Sequence, residues 1–316
     1  MTKKLLSSSA RSFEIILPAT SANLGPAFDT AALALKLFLK VRATASADYS
    51  IHATGRDEDI CGRVENHLIL ITYREVLQSA GKVAKPLSLR ISNDIPIGKG
   101  CGSSAAARLA GIALAVHFGK LSWTDSRIIG EASFREHHAD NAAACWLGGM
   151  TIARMANDSE AQAVRIDPKG KWPMLLAVPD QSLATEKARQ VLPAQYSRED
   201  AVRNIQNSLF LLAALIQGRP DLMPAALEDR MHQPYRAGLC PLLPVLSGMQ
   251  RPHGILGVAL SGAGPSVLIF VAPKASLTQV REKVQKHLHD AGLSAELIST
   301  TITERGGSSS SRSFRS

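Results

Sequence analysis

A short glycine-rich stretch that runs directly into a helix-forming segment constrains this chain more than any other feature. Gly98, Gly100 and Gly102 stand at alternate positions, two serines follow, and 105–118 is rich in alanine and leucine. Glycine lets the main chain approach a ligand closely, and the N–H groups at the start of a helix attract anions. The helix dipole alone contributes only about 0.3–1 kcal/mol. The pattern therefore predicts a phosphate site in which several N–H groups and a metal ion share the binding.

Two common phosphate motifs do not fit this stretch. A P-loop would place its lysine before serine or threonine, but Lys99 stands between glycines, and a dinucleotide-binding G-x-G-x-x-G would need glycine at Ser103. The wider pattern P-x-G-x-G-x-G-S-S-A, residues 96–105, resembles the phosphate loop of the GHMP kinases, with Cys101 where that family usually has leucine. Taken alone, the stretch also suits a plain strand-to-helix connection.

Two further segments resemble the same family. Residues 18–29, PATSANLGPAFD, are similar to its N-terminal motif in the form found in homoserine kinases, with Ala27 where glycine is common. Residues 260–267, LSGAGPSV, are similar to its C-terminal glycine motif, which in the family packs against the phosphate loop. The resemblance implies an α+β chain with the two-domain GHMP kinase fold. A ribosomal-S5-like, ATP-binding N-terminal domain would cover 12–170 and a ferredoxin-like C-terminal domain 171–304.

The resemblance also implies a nucleotide site that uses magnesium. Ser104 and Glu131 would bind the metal ion, although Glu131 considered alone is typical of an ordinary solvated helix residue. The residues that the resemblance assigns to ATP are Asn66, Pro96, Gly98, Lys99, Gly100, Cys101, Gly102, Ser103, Ser104 and Ala105.

The segment just before residue 142 is the most informative about the phosphate acceptor. His138, Asp140 and Asn141 match the H-x-D-N that homoserine kinases of the family carry at this point. The resemblance implies that His138 helps to hold an amino acid and that Asn141, with Ser104 and Glu131, forms the catalytic set. Because an asparagine amide cannot take up a proton at neutral pH, we expect catalysis by orientation and by neutralisation of phosphate charge. Asp140 is not assigned as a base, since adjacent side chains usually point apart.

An amino-acid acceptor carries a carboxylate and an ammonium group, and planar arginine suits the carboxylate. Arg189, four residues after Thr185, and Arg236, at the end of D-x-x-H-x-P-Y-R, stand at positions that resemble the family's substrate-binding segments. Asp29 is the matching candidate for the ammonium group, with Asn23 in the same motif. The resemblance therefore implies that these five residues, together with His138, bind the substrate.

The resemblance implies ATP-dependent phosphorylation of the L-homoserine side-chain hydroxyl to O-phospho-L-homoserine, a step of threonine biosynthesis. Another small-molecule GHMP kinase, such as an L-threonine kinase or a mevalonate kinase, is the alternative. A zinc hydrolase built on Glu136, His137, His138 and Asp140 is disfavoured, because neither H-E-x-x-H nor H-x-x-E-H occurs. A catalytically dead relative is disfavoured because every matched position holds a competent residue.

Composition limits the partners and the compartment. The net charge of +9 is concentrated at the two ends, where 1–11 and 305–316 carry basic residues and no acids, and only 5% of residues are aromatic. A nucleic-acid partner is therefore not expected, and the longest apolar run, 209–216, is too short to cross a bilayer. Four cysteines without metal-site spacing indicate reduced thiols in a cytoplasmic enzyme. We expect 305–316 to be a disordered tail, and the resemblance suggests a homodimer.

Apolar periodicity and turn residues predict the following elements. Strands are predicted at 13–17, 32–43, 48–54, 87–91, 148–154, 161–166, 174–178, 255–260, 266–271 and 295–302, with a loop over 20–26. Helices are predicted at 66–80, 105–118, 124–137, 276–291 and over most of 183–230.

Overall fold

The computed structural model describes residues 12–136, 138–249 and 254–312, and side chains as far as residue 309. Its strands are β1 (Ser12–Asn23), β2 (Ala27–Ala45), β3 (Ser50–Gly55), β4 (Leu87–Asn93), β5 (Met150–Met155), β6 (Ala161–Ile166), β7 (Met174–Val178), β8 (Ile255–Leu260), β9 (Val267–Val271) and β10 (Glu296–Thr300). Its helices are α1 (Glu58–Cys61), α2 (Leu68–Ser79), α3 (Ser103–Gly119), α4 (Asp125–Glu136), α5 (Asp140–Leu147), α6 (Thr185–Gln190), α7 (Arg198–Gln217), α8 (Met223–Ala226), α9 (Gln233–Arg236), α10 (Leu242–Ser247), α11 (Leu277–Asp290) and α12 (Gly307–Arg312). The predicted α+β class is confirmed.

The first sheet is organised around the long strand β2. Strand β1 pairs antiparallel with one edge of β2, while the other edge pairs with β5 over 31–33 and with β4 over 39–45. Strand β3 adds parallel to β4, and β6 adds antiparallel to β5. Helices α3 and α5 pack on β1 and β2, and α2 packs on α3. The helix after the glycine-rich loop is therefore anchored to the central strands.

The second sheet is antiparallel in the order β10-β7-β9-β8, and its central strands β7 and β9 are buried on both faces. Successive residues of β7 and β9 face opposite ways: Leu176 and Phe270 join the apolar cluster shared with the first sheet, while Leu175 and Ile269 join a second cluster under α10 and α11. Burial on both faces explains the uninterrupted apolar runs of these strands. The predicted boundary at residue 170 falls in the connection between β6 and β7, and the domain division stays a prediction.

The sequence predicts that the first strand ends before Pro18, but β1 continues past this residue. A register shift between Pro18 and Ala19 marks a bulge, and a bulge tolerates proline because the missing N–H is not needed there. The strand continues to Asn23, so the loop expected over 20–26 is reduced to a turn at 24–26. Helix α5 was also not predicted, because its alanine-rich segment is only eight residues long.

The expected disorder of 305–316 is wrong for 305–312, where α12 forms. A Cβ on Gly306 would lie 2.4 Å from the Trp146 carbonyl oxygen, and one on Gly307 would lie 2.6 Å from Leu17 Cδ2. This segment is packed by the close approach of its own glycine backbone to Leu17 and Trp146, and it contributes no large apolar side chain there. Residues 1–11 and 313–316 of the basic ends, and His137 of the rejected zinc cluster, lie outside the described residues. None of the described helices combines the length and apolar character that a membrane span requires.

Candidate active site

A cavity of about 710 Å³ brings together residues from both halves of the chain. The predicted site residues that line it are Asn23, Asp29, Asn66, Gly98, Gly100, Cys101, Gly102, Ser103, Ser104, His138, Asn141, Thr185, Arg189 and Arg236. Pro96, Lys99, Ala105 and Glu131 are not among its lining residues. Lys99 Nζ instead donates to the Asp180 carbonyl oxygen, and Ala105 is buried at the start of α3.

The glycines of the phosphate loop are required by both conformation and space. Gly98, Gly100 and Gly102 have φ values of 70°, 77° and 71°, in the left-handed region that favours glycine. A Cβ on Gly100 would lie 2.2 Å from the Ser261 carbonyl oxygen and 2.6 Å from that of Gly264. The C-terminal glycine turn therefore packs directly against the phosphate loop.

The loop carbonyls point into the protein. Those of Gly100 and Cys101 accept hydrogen bonds from Ser261 Oγ at 2.8 Å and from Thr20 N at 3.0 Å. In a trans peptide the N–H points away from the carbonyl of the same unit. The N–H groups of Cys101 and Gly102 consequently point away from Ser261 and Thr20. Both residues line the cavity, and the helix N-terminus beside them attracts anions.

The structure places Glu136, and not Glu131, beside Ser104. Ser104 Oγ donates to Glu136 Oε2 at 2.7 Å, and Arg108 Nε pairs with Glu136 Oε1. Glu131 instead forms ion pairs with Arg127 at 3.3 Å and with Arg135 at 2.9 Å. Glu131 lies one helical turn from each of these arginines, which places all three on one face of α4. The expected Ser104–Glu131 pair is therefore corrected to Ser104–Glu136.

The H-x-D-N segment forms a connected polar group at the start of α5. Asp140 Oδ1 accepts from the Asn141 N–H at 2.6 Å and contacts His138 Nδ1 at 2.8 Å. Burial alone would lower the pKa of His138, but the hydrogen bond to Asp140 and the nearby carboxylates outweigh it and raise that pKa. Asn141 Oδ1 accepts a 2.6 Å hydrogen bond from Thr20 Oγ1. Asn141 is thus held from both sides.

Three charged side chains face the cavity beyond Asn141. Arg189 and Asp29 form a bidentate ion pair with nitrogen–oxygen distances of 2.8 and 3.0 Å. Arg236, only 1% exposed, donates to the Ala188 carbonyl oxygen and to His232 Nδ1. Within the described side chains, no carboxylate oxygen lies within 4.0 Å of Arg236. Its positive charge is buried next to neutral partners.

His232 holds Arg236 in place by a hydrogen bond to its guanidinium group. Burial is the main cause that lowers the pKa of His232 to about 4, so the ring is neutral at neutral pH. Its Nε2 lies 2.8 Å from the Gly25 carbonyl oxygen, which can only accept, so the ring proton is on Nε2 and Nδ1 accepts from Arg236. Asp229 accepts from the His232 and Gln233 N–H groups and fixes the start of α9.

Sequence reasoning did not identify Glu136, Thr20 or His232 as site residues. The spacing of Arg127, Glu131 and Arg135 was a usable signal, because residues four apart on a helix face tend to pair with each other. Glu136 also stands only two residues before His138, the first residue of the acceptor segment. No local pattern indicated Thr20, whose contact with Asn141 joins residues 121 positions apart.

Comparisons with known proteins identify the family of the chain. The family described as GHMP kinases N terminal domain matches residues 67–149, and GHMP kinases C terminal matches 211–290. A homoserine kinase of Solibacter usitatus is 42% identical over 95% of this chain and 98% of its own length. One from Synechocystis sp. is 36% identical over 93% of this chain and 97% of its own. The crystal structure of a homoserine kinase from Cytophaga hutchinsonii superposes with a TM-score of 0.80 at 23% identity, covering 95% of this chain and 98% of the other.

Proposed function

The chain belongs to the GHMP kinase family, and we propose that it transfers the γ-phosphoryl group of ATP to the side-chain hydroxyl of L-homoserine. The products are O-phospho-L-homoserine, which serves threonine biosynthesis, and ADP. The observation that carries this proposal is a single cavity that joins the phosphate loop to charged side chains suited to a free amino acid. The homoserine kinases among its relatives support the same acceptor.

The charges at the acceptor end alternate in a way that matches a zwitterion. Arg236 has no carboxylate partner among the described side chains, so it would bind the α-carboxylate of the substrate, with Arg189 beside it. Asp29 would accept the α-ammonium group, and Asn23 supports Asp29 by accepting its N–H at 2.9 Å. Mevalonate carries no ammonium group that would use Asp29. The acceptor end therefore favours an amino acid over the mevalonate alternative.

Magnesium fits the oxygen atoms that the structure brings together. Ser104 Oγ and the Glu136 carboxylate are hard oxygen donors at the start of α3, next to the phosphate loop, and magnesium in kinases is commonly held by one or two such groups together with substrate phosphates. When bound, the metal would neutralise charge on the β- and γ-phosphates. Arg108 holds the other Glu136 oxygen and orients the carboxylate.

The remaining chemistry is positioning. The substrate hydroxyl oxygen forms a bond to the γ-phosphorus while the bond to the ADP oxygen breaks, and the hydroxyl proton passes late to a phosphoryl oxygen. Asn141 orients the hydroxyl and takes up no proton. The phosphate-loop N–H groups stabilise the charge that spreads over the transferred group.

The test is ADP release measured with L-homoserine, L-threonine, mevalonate and shikimate as acceptors. We expect the highest kcat/KM with L-homoserine and turnover that depends on magnesium. Turnover confined to an acceptor without an amino group would overturn the assignment. Turnover of L-threonine in preference to L-homoserine would support the assignment as an amino-acid kinase but would change the assigned substrate to L-threonine.

The proposal also includes the domain division, the cellular location and the oligomeric state. The two domains would divide at residue 170, which is supported by the passage from the first sheet to the second in that connection. A cytoplasmic location is supported by four buried free cysteines. A homodimer rests on the family resemblance, and sedimentation of the purified protein tests it.

A further inference from the structure

We propose that Thr20 is a positioning residue that couples the phosphate loop to Asn141 and so sets the placement of the acceptor hydroxyl against the γ-phosphate. This inference rests on the proposed function, because it takes Asn141 as the residue at the reacting hydroxyl. Thr20 is fully buried in β1 and is not among the residues that line the cavity. Its influence on the reaction must therefore pass through its neighbours.

Thr20 forms one hydrogen bond to the phosphate loop and one to Asn141. Its backbone N–H donates to the Cys101 carbonyl oxygen at 3.0 Å, a bond that fixes the orientation of the Cys101–Gly102 peptide in the loop. Its side-chain hydroxyl donates to Asn141 Oδ1 at 2.6 Å. One residue of a central strand therefore bonds both to the loop that holds the nucleotide and to the amide that faces the acceptor.

The Asp140 carboxylate and the Thr20 hydroxyl together hold the Asn141 amide in one orientation. With Oδ1 against Thr20, Nδ2 lies on the other side, 3.3 Å from Asp140 Oδ1. Rotation of the amide by half a turn would put its NH₂ against the Thr20 hydroxyl and its oxygen against the Asp140 carboxylate, two acceptors facing each other. Asp140 thus selects the amide orientation, and the Thr20 hydroxyl donates to the oxygen that this orientation presents and fixes its position.

Space for this bond is provided by Gly102. A Cβ at Gly102 would lie 1.9 Å from Thr20 Oγ1 and 3.3 Å from Asn141 Oδ1. The last glycine of the phosphate loop is therefore needed for the Thr20–Asn141 contact as well as for its own backbone conformation. The phosphate loop and the acceptor group could not approach this closely with any other residue there.

The experiment compares Thr20→Val, which removes the hydroxyl and keeps the shape, with Thr20→Ser, which keeps the hydroxyl. We expect Thr20→Val to lower kcat by about 10-fold to 100-fold, because small misplacements of reacting groups cost this much, with KM for ATP and acceptor nearly unchanged. Thr20→Ser should recover most of the loss. Thr151→Val is the matched control, because Thr151 is equally buried in β5 and no partner is described for its hydroxyl; we expect wild-type kcat.

A double-mutant cycle separates positioning from a structural role. If Thr20 acts through Asn141, Thr20→Val should lower kcat in the wild-type background and have little further effect in Asn141→Ala. Equal effects in both backgrounds, or wild-type kcat for Thr20→Val, would overturn the inference. If Thr20→Val fails to fold, Thr20→Ala is compared with Thr20→Ser in the same cycle. Wild-type activity of Asn141→Ala would instead count against the role given to Asn141, and the acceptor screen tests the proposed function separately.

Discussion

The two ends of the cavity are built from different materials. The phosphate end is mostly backbone: glycines with positive φ, and a loop whose Gly100 and Cys101 carbonyls are bonded to Ser261 and Thr20. The acceptor end is side chains, with Asp29, His138, Arg189 and Arg236 supplied by four separate segments. A backbone site fails when a Cβ is added, whereas a side-chain site changes by degrees when one group is replaced. This difference ranks the expected effects of substitution.

Gly100→Ala should have the largest effect. The new Cβ would lie 2.2 and 2.6 Å from the Ser261 and Gly264 carbonyl oxygens. The loop must therefore shift, and its N–H groups would no longer be oriented to bind phosphate. We expect kcat/KM to fall by about 1,000-fold or more, measured by ADP release. Gly292→Ala is the matched control, since Gly292 has φ +70° with no atom within 4 Å of the added Cβ. Comparable activity of the two variants would contradict the backbone description.

Glu136→Gln should rank second. The amide keeps the shape but loses the charge that Ser104 and Arg108 orient, so we expect kcat to fall by about 100-fold and the magnesium concentration for half-maximal rate to rise. Glu131→Gln provides the comparison, because among the described side chains Glu131 forms its ion pairs with Arg127 and Arg135 of its own helix. A larger loss for Glu131→Gln would restore the assignment that the structure corrects.

Arg236→Lys should have a smaller effect, confined to the acceptor. Lysine keeps the charge but cannot reproduce the planar fork held by Ala188 and His232. We expect KM for L-homoserine to rise by about 10-fold to 50-fold, with KM for ATP unchanged in steady-state kinetics. Arg203→Lys, at an exposed pair with Glu228, is the control. A rise in KM for ATP alone would contradict the assignment of Arg236 to the acceptor end of the cavity.

The prediction with the least effect on activity concerns stability at low pH. His232 has its pKa lowered from 6.5 to about 4 in the folded state, so the unfolded chain binds a proton in this interval that the folded chain does not. Stability is therefore lost as the pH falls from 6.5 towards 4, by at most about 1.4 kcal/mol per pH unit. His138, whose pKa is raised, acts in the opposite sense.

The difference between wild type and His232→Gln isolates the contribution of His232. Urea unfolding at several pH values should show the wild type losing stability more steeply than the variant below pH 6.5. Parallel curves would show that His232 is not held neutral by burial.

The same contrast explains what could be predicted from the sequence. The phosphate loop was predictable because its glycines are adjacent in the chain and each requirement is local. The choice between Glu131 and Glu136 depends on the face of α4 that meets α3, which the sequence indicates only indirectly, through the spacing of Glu131 from Arg127 and Arg135. The Thr20 hydroxyl and the neutral His232 depend on contacts across 121 and 207 positions. Strands β7 and β9 were predicted within one residue since burial on both faces leaves a continuous apolar run.

The turn after β1 has a consequence for how the chain acquires its site. Asn23 Nδ2 donates to the Gly262 carbonyl oxygen at 2.7 Å, and Gly262 N donates to the Ala22 carbonyl oxygen at 3.1 Å. These bonds close a loop of more than 230 residues, and such distant closures form slowly and late. During synthesis, a ribosome-bound chain can assemble the first sheet well before it can bind substrate. Competence for catalysis arises only once the segment around Gly262 has emerged and docked.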